Sequence, residues 1–548
     1  MSLTKVSYSL IQGAPFNVMD YGAVGDGTTN DYAAFVAAAT ALQNQGGGAL
    51  FIPYTSTGYS ITCPTNNGPV CSFSNLNLVT IEGNGAYIRF ENTYASSEGN
   101  VLFQFDSCSN VSISRFFVYN NYTKTVAQSG VRFAYFLNAC RSVSIDDITF
   151  WGGLAFVQIY KNPSNGYGST NQAAGFKIGR ANVKNAWYGV NCQYNGDDVS
   201  IENLSTEDVS RSYFVYGVKH HKAFIRSKNN VGEDVAISTL DGFGCENIDI
   251  NYINTDSTAA VSGSRGACVL INLVEGTTTP SAGTIRNIKA NITTKSVTDG
   301  VAYGFAIGSP DAAGVGHILE NVEITGSMYS SWATFVPIKI AVDYPGTGTN
   351  YLRNIRLKDI YVSGTAANSI IDCRNINYMK VQGVITPAAC YIINGSDGSK
   401  ILVENCEATT FSDDIDDLTS VQFTNTLMTS GTGQALKNKT IVNSKISTFT
   451  QNLLPRAWAV LNPAGVIQAS VCVASATKTG TGVYEITFET TYTAGQYCGL
   501  ANVSGGALYC EVVQTANNKA TVNVFNTSGV ATDPANQVMF VLFANPVA

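Results

Sequence analysis

Asn110-Val111-Ser112-Ile113, Asn247-Ile248-Asp249-Ile250 and Asn321-Val322-Glu323-Ile324 are copies of one short pattern, a polar residue followed by apolar-x-apolar. The same pattern returns at Ser142-Val143-Ser144-Ile145, Gly175-Phe176-Lys177-Ile178, Asp198-Val199-Ser200-Ile201 and Lys222-Ala223-Phe224-Ile225. It continues at Asn287-Ile288-Lys289-Ala290, Asn354-Ile355-Arg356-Leu357, Tyr378-Met379-Lys380-Val381, Lys400-Ile401-Leu402-Val403 and Ser420-Val421-Gln422-Phe423. Successive starts differ by 32, 33, 23, 24, 25, 40, 34, 33, 24, 22 and 20 residues. A self-similar unit of this length marks a solenoid, each turn burying its apolar face against its neighbours. Period-two alternation puts Val, Ile and Leu inside and Ser, Asp, Lys or Glu outside. Asn before the strand suits a tight corner, where its amide can bond the copy on the next turn. The fold expected is all-β, a parallel β-helix.

Upstream, Asn17-Val18-Met19-Asp20-Tyr21-Gly22-Ala23-Val24-Gly25-Asp26-Gly27-Thr28-Thr29-Asn30-Asp31 runs from an extended segment into a glycine-rich turn. Asn30-Asp31 offers an N-cap, and Tyr32, Phe35, Val36, Ala39 and Leu42 recur at helical spacing. A helix over about 31–44 would cover the open first turn of the solenoid, whose bare edge would otherwise be sticky. Gly46-Gly47-Gly48-Ala49-Leu50-Phe51-Ile52-Pro53 then releases the chain into a strand. This order of elements resembles the opening of the pectate-lyase-like superfamily. That likeness implies a right-handed parallel β-helix acting on polysaccharide, with Asp20, Asp26 and Asp31 serving the cap.

Downstream the register stops at Gln451. Residues 452–548 carry only seven Lys, Arg, Asp or Glu. Short strand signals at 466–474, 482–490, 497–504, 511–514, 520–525 and 537–544 predict a small β-sandwich. So little charge suggests a surface buried in an oligomer. The run Arg456-Ala457-Trp458-Ala459-Val460-Leu461-Asn462, with Gly482-Val483-Tyr484-Glu485-Ile486-Thr487-Phe488, resembles a C-terminal module of phage tail fibres and tailspikes. The domain plan expected is therefore a tail at 1–15, a β-helix over 16–451, and a sandwich over 452–548 for trimerisation or carbohydrate binding.

Cap, solenoid and fibre-type end together resemble a bacteriophage tailspike that depolymerises capsular polysaccharide. The resemblance implies an intertwined or side-by-side homotrimer on the virion tail. It would be made in the host cytoplasm, act outside the cell, and be attached through a missing or short N-terminal part to the tail or baseplate. The substrate implied is a bacterial surface polysaccharide, and the alternative to cleavage is a receptor spike that binds glycan without cutting it.

Bulk composition narrows the partners. The net charge of −7 over 548 residues argues against nucleic-acid binding. No apolar run approaches the ~20 residues of a membrane span, so no membrane insertion is expected, and no signal peptide is visible. Thirteen cysteines are scattered singly with no C-x-x-C, and there are three histidines. Buried thiols are the expectation, and no cofactor or metal is expected. Asp197-Asp198 is the nearest approach to a calcium pair.

Glycoside hydrolysis needs two carboxyl groups, about 5–5.5 Å apart for retention and 6.5–9.5 Å for inversion. Solenoid strands lie about 4.8 Å apart, so matching acids on neighbouring turns suit retention and a two-turn offset suits inversion. The acids are densest at Asp197, Asp198, Glu202, Glu207, Asp208, Glu233, Asp234, Asp241, Glu246 and Asp249. Glu207, Asp208, Glu233, Asp234 and Asp241 are the catalytic candidates, at strand or turn edges, while Asp198 and Asp249 fall at corner or outward positions. Five of the chain's 32 Lys and Arg crowd residues 211–228. Arg211, Lys219, Lys222, Arg226 and Lys228, with His220, His221 and Tyr216, are the substrate-binding candidates. Alternation places Lys219, His221 and then Lys222 or Arg226 toward solvent. Basic residues among aromatics suit an acidic glycan. The same bases also suit plain neutralisation of acids on the next turn. A lyase with His220, His221 or Lys222 as base is the chemical alternative to hydrolysis.

Overall fold

The computed structural model describes residues 13–546 except 93–98, 122–129, 161–172, 195, 231–232, 240–242, 257–266, 274–282, 295–302, 309–316, 331–334, 341–350, 365–368, 375–377, 386–390, 397–400, 409–420, 425–426, 429–438, 443–444, 447–454, 490–491 and 505–507. Its larger unit takes in residues 1–428 and 434–445, and the smaller one 429–433 and 446–548.

The larger unit is the right-handed parallel β-helix expected, its strands stacking turn on turn in parallel register. Val111, Val143 and Phe176 stand in line, as do Ile248, Ile288, Val322 and Ile355. Each turn has three faces. Arg141–Tyr160 runs through all of them as one bent 20-residue strand. Ile145, Phe150 and Ile159 of this strand point into a core that excludes solvent. Phe73, Phe105 and Phe136 stack inside on three successive turns, with centroids 5.3 and 5.0 Å apart.

The Asn corners have a backbone reason. Asn247, Asn287, Asn321 and Asn354 sit at φ of 58°, 58°, 57° and 56°, the left-handed region that Asn tolerates. Their amides form a ladder: Asn287 donates to Asn247 at 2.8 Å, Asn321 to Asn287 at 3.0 Å, and Asn354 to Asn321 at 2.6 Å.

The helix spans Tyr32–Gln45 and buries Ala34, Phe35, Ala38, Ala39 and Leu42 over the first turn. Asp31 does not cap it with its side chain, contrary to expectation. Its carboxylate turns back to accept Val24 N–H at 2.6 Å and Gly25 N–H at 3.3 Å, while Asn30 accepts from Tyr32 N–H at 3.1 Å.

One copy of the repeat is displaced from its expected place. His221, not Ala223, aligns with Val199 and Ile248, so the copy is His220-His221-Lys222-Ala223. The long excursions at 252–284, 291–318 and 326–351 lie largely outside the described residues. Each also contains a third-face strand the spacing did not suggest: Ala267–Leu273, Tyr303–Gly308 and Val336–Ile340.

Buried thiols accompany the core. Cys71, Cys108, Cys140, Cys192, Cys245, Cys268 and Cys406 are all buried and free, and burial pushes the Cys140 and Cys268 thiols up to about 12.

The smaller unit contains two four-stranded antiparallel sheets. One comprises Ile467–Val471, Pro455–Leu461, Val538–Pro546 and Tyr492–Val503; the other Val473–Gly480, Val483–Phe488, Lys519–Asn526 and Leu508–Ala516. Phe488 and Phe540 stack between them at 5.8 Å. The strand expected at 466–474 breaks in two at Cys472, whose φ is 55°. No helix among the described residues is long and apolar enough to cross a membrane.

Candidate functional site

The structure sorts the candidate residues into three places. The first is the corner between the second and third faces. Lys184, Glu207 and Lys228 stand in one outward column on successive turns. Glu207 accepts from Lys184 at 2.6 Å and from Lys228 at 3.1 Å, and these bonds hold its carboxyl below the usual range. Across the turn, Arg211 donates two hydrogen bonds to Glu233 Oε2, at 3.2 and 3.0 Å, and lies 5.0 Å from the Phe214 ring. Burial works against the Arg211 charge, but Glu233 and Tyr188 together more than offset it. Asp208 occupies the exposed corner itself, at φ 55°. Much of the basic strip therefore neutralises its own acids.

The second place is the interior, where three candidates require correction. Asp234 is 3% exposed. It accepts from Ser212 at 3.1 Å, from Asn230 at 2.5 Å, and from the Tyr252 hydroxyl. Burial pushes its carboxyl up. His221 is 2% exposed rather than solvent-facing, because it fills an apolar slot of the repeat. Its Nε2 bonds the Gly196 carbonyl, which can only accept, so Nδ1 takes the Tyr213 hydroxyl proton. Burial lowers its pKa to about 4, and the ring stays neutral inside the core. Tyr216 is likewise buried, edge-on to Tyr194 at 4.6 Å. None of these three meets a surface substrate. Asp241 lies outside the described residues.

The third place is the first face. Lys219, His220 and Lys222 are exposed there, His220 at the left-handed corner position with φ 59°. Lys219 lies 3.9 Å from Glu246, which also pairs with Arg286 at 2.8 Å. Arg226 is exposed on the second face, 5.1 Å from the Phe224 ring.

Beyond Lys222 the first face opens into a groove of about 420 Å³ along the Asn ladder. Lys222, Asp249, Lys289, Glu323 and Arg356 project from aligned positions, so the charge alternates along the column. Asp249, Lys289, Glu323 and Arg356 line the groove. Among the described residues, none of the five forms an ion pair within 4 Å, whereas the parallel column pairs Arg286 with Glu246 and Arg353 with Glu320. Asp249 and Glu323 are two turns apart, roughly 9–10 Å at the backbone. Sequence reasoning left Asp249 as an outward acid and did not single out Lys289, Glu323 or Arg356. The signal was there in the third position of each repeat. Among the described residues, no group of three His, Cys, Asp or Glu is placed to hold a metal ion.

No protein-family model matches the chain, and no curated protein matches it. Solved structures of the tailspike protein of E. coli bacteriophage HK620 are similar to it. A double mutant in complex with a pentasaccharide is 13% identical, covering 96% of this chain and 93% of that one with a TM-score of 0.40. A second double mutant is 13% identical over 97% and 94%, with a TM-score of 0.44.

Proposed function

We propose that this chain is a phage tailspike that binds and depolymerises an acidic bacterial surface polysaccharide by hydrolysing its glycosidic bonds. The observation that carries the reading is the pair Asp249 and Glu323. They are outward, in a groove, without an ion pair among the described residues, and offset by two turns. That offset suits an inverting hydrolase, in which the carboxyl groups stand 6.5–9.5 Å apart to admit a water. One carboxylic acid protonates the leaving oxygen as the glycosidic bond breaks. The other carboxylate takes a proton from the water attacking the opposite face of the sugar. Lys222, Lys289 and Arg356, which pair with no acid among the described residues, supply cations for substrate carboxylates. Of the other candidate acids, Glu207 is committed to Lys184 and Lys228, and the buried Glu233 to Arg211.

A homotrimer on the virion tail belongs to the same proposal, supported by the nearly uncharged C-terminal unit. Incubation with capsular polysaccharide, followed by gel filtration and reducing-end measurement, tests the activity. Binding without any fall in chain length would leave a receptor spike. A new absorbance from unsaturated uronate would mean elimination, with exposed His220 as the base to examine.

A further inference from the structure

Four aromatic side chains stand on the outer side of the second face, over three successive turns. Tyr87 aligns with Phe117, and Tyr119 with Trp151. Tyr87 and Phe117 lie 5.2 Å apart, tilted by 40°; Tyr119 meets Trp151 edge to face at 5.7 Å. Trp151 is 41% exposed, and the other three are half-buried. Leaving an indole this open forgoes a large apolar gain, unless something else covers it.

The rim indicates what that is. Thr149 and Asn182 continue the Tyr87–Phe117 column, and the Tyr119 hydroxyl reaches Asn121 at 3.4 Å. Lys184 stands 5.9 Å from the Trp151 ring while bonded to Glu207, and Arg89, paired with Glu91, heads the Tyr119–Trp151 column. Rings that present flat apolar faces, bordered by hydroxyl, amide and charge-paired groups, match the face of a pyranose. Its C–H face stacks on the ring, while its hydroxyls meet the hydroxyl and amide groups of the rim. A protein interface core would be closed by apolar neighbours instead.

We propose that Trp151 and Tyr119, with Tyr87 and Phe117 beside them, form a non-catalytic anchoring site for the same acidic polysaccharide. The proposal rests on the glycan reading above, but uses none of the groove residues. Trp151 lies four turns before Asp249, roughly 19 Å along the axis, and on the adjoining face. A polymer can occupy both places, and a short oligosaccharide bound in the groove cannot. The second contact then acts as an intramolecular one and raises apparent affinity for long chains.

The test uses the whole protein on a printed array of neutral and uronate-bearing bacterial polysaccharides. Glu323→Gln serves as the groove variant, and Trp151→Ala and Tyr119→Ala as the platform variants, each checked for an unchanged melting temperature. Trp151→Ala should weaken polymer binding about tenfold and leave cleavage of short oligosaccharides unchanged. Glu323→Gln should still bind polymer, and polymer should shift Trp fluorescence in it but not in its Trp151→Phe derivative. Undiminished polymer binding by both platform variants, with cleavage intact, would overturn the anchoring site alone. Binding lost in Trp151→Ala but no cleavage by any form would keep the anchor and sink the hydrolase. A fall in oligomer mass in Trp151→Ala, measured by light scattering, would make the patch a contact between copies and overturn the proposal. No binding anywhere on the array would remove both readings.

Discussion

Tyr252 donates its phenolic hydrogen bond to Asp234 in the interior of the solenoid, where both side chains are sealed from solvent. Ser212 and Asn230 bond the same carboxyl, yet no cation joins them among the described partners. Burial raises the Asp234 pKa in the folded state above its unfolded value of about 3.9. The folded form therefore binds more protons, and stability falls as pH rises through about 3.9 toward the raised value. Asp234→Asn should lose that dependence. Its melting temperature relative to the parent should improve steadily as pH rises; a constant difference would show that Asp234 does not titrate on unfolding.

His221 acts in the opposite sense. Its folded pKa of about 4 lies below the unfolded value near 6.5. The unfolded chain thus gains a proton first, and stability drops as pH falls from about 6.5 to 4, on the order of 3 kcal/mol in all. His221→Gln should flatten this acid limb in urea melts at successive pH values. An unchanged limb would assign it to other groups.

Asp249 and Glu323 carry the activity prediction. Asp249→Asn and Glu323→Gln should each reduce depolymerisation by at least a hundredfold with an unchanged melting temperature. Product sugars, followed by NMR from the first turnover, should appear with inverted anomeric configuration. Full activity in both variants, with loss in Glu207→Gln or Glu233→Gln, would move the chemistry to the corner.

Asn321 both donates to Asn287 and accepts from Asn354, at a left-handed corner. Asn321→Ala should cost about 1–3 kcal/mol, from strain at positive φ together with two lost amide bonds. Asn321→Gly relieves the strain and should recover part of the loss in denaturant titrations. Equal losses would show that the ladder bonds, not the backbone, dominate.

The solenoid was legible because its signal is local and repeated: the Asn corner and two inward residues need no knowledge of neighbouring turns. The cap helix was legible for the same reason, expected over 31–44 and found at Tyr32–Gln45. Asp31 was not, since its choice of Val24 and Gly25 over the helix end depends on the folded glycine turn. His221 was misplaced because a neutral imidazole counts as polar in a pattern and as filler in a core that offers it Tyr213 and Gly196. The groove was hidden for another reason. The repeat already lines up Asp249, Lys289, Glu323 and Arg356, and the register repeats that alignment. Only the folded side chains show that this column, unlike the Glu246–Arg286 column beside it, forms no ion pairs among the described residues.

Most of the described cysteines are locked into the core with thiols raised by burial, but Cys472 is exposed at the bend between two strands of the C-terminal unit. The folded chain consequently offers a maleimide dye an exposed sulfur at Cys472. A fluorophore placed there would report self-association through energy transfer between copies, with every groove and platform residue left unaltered.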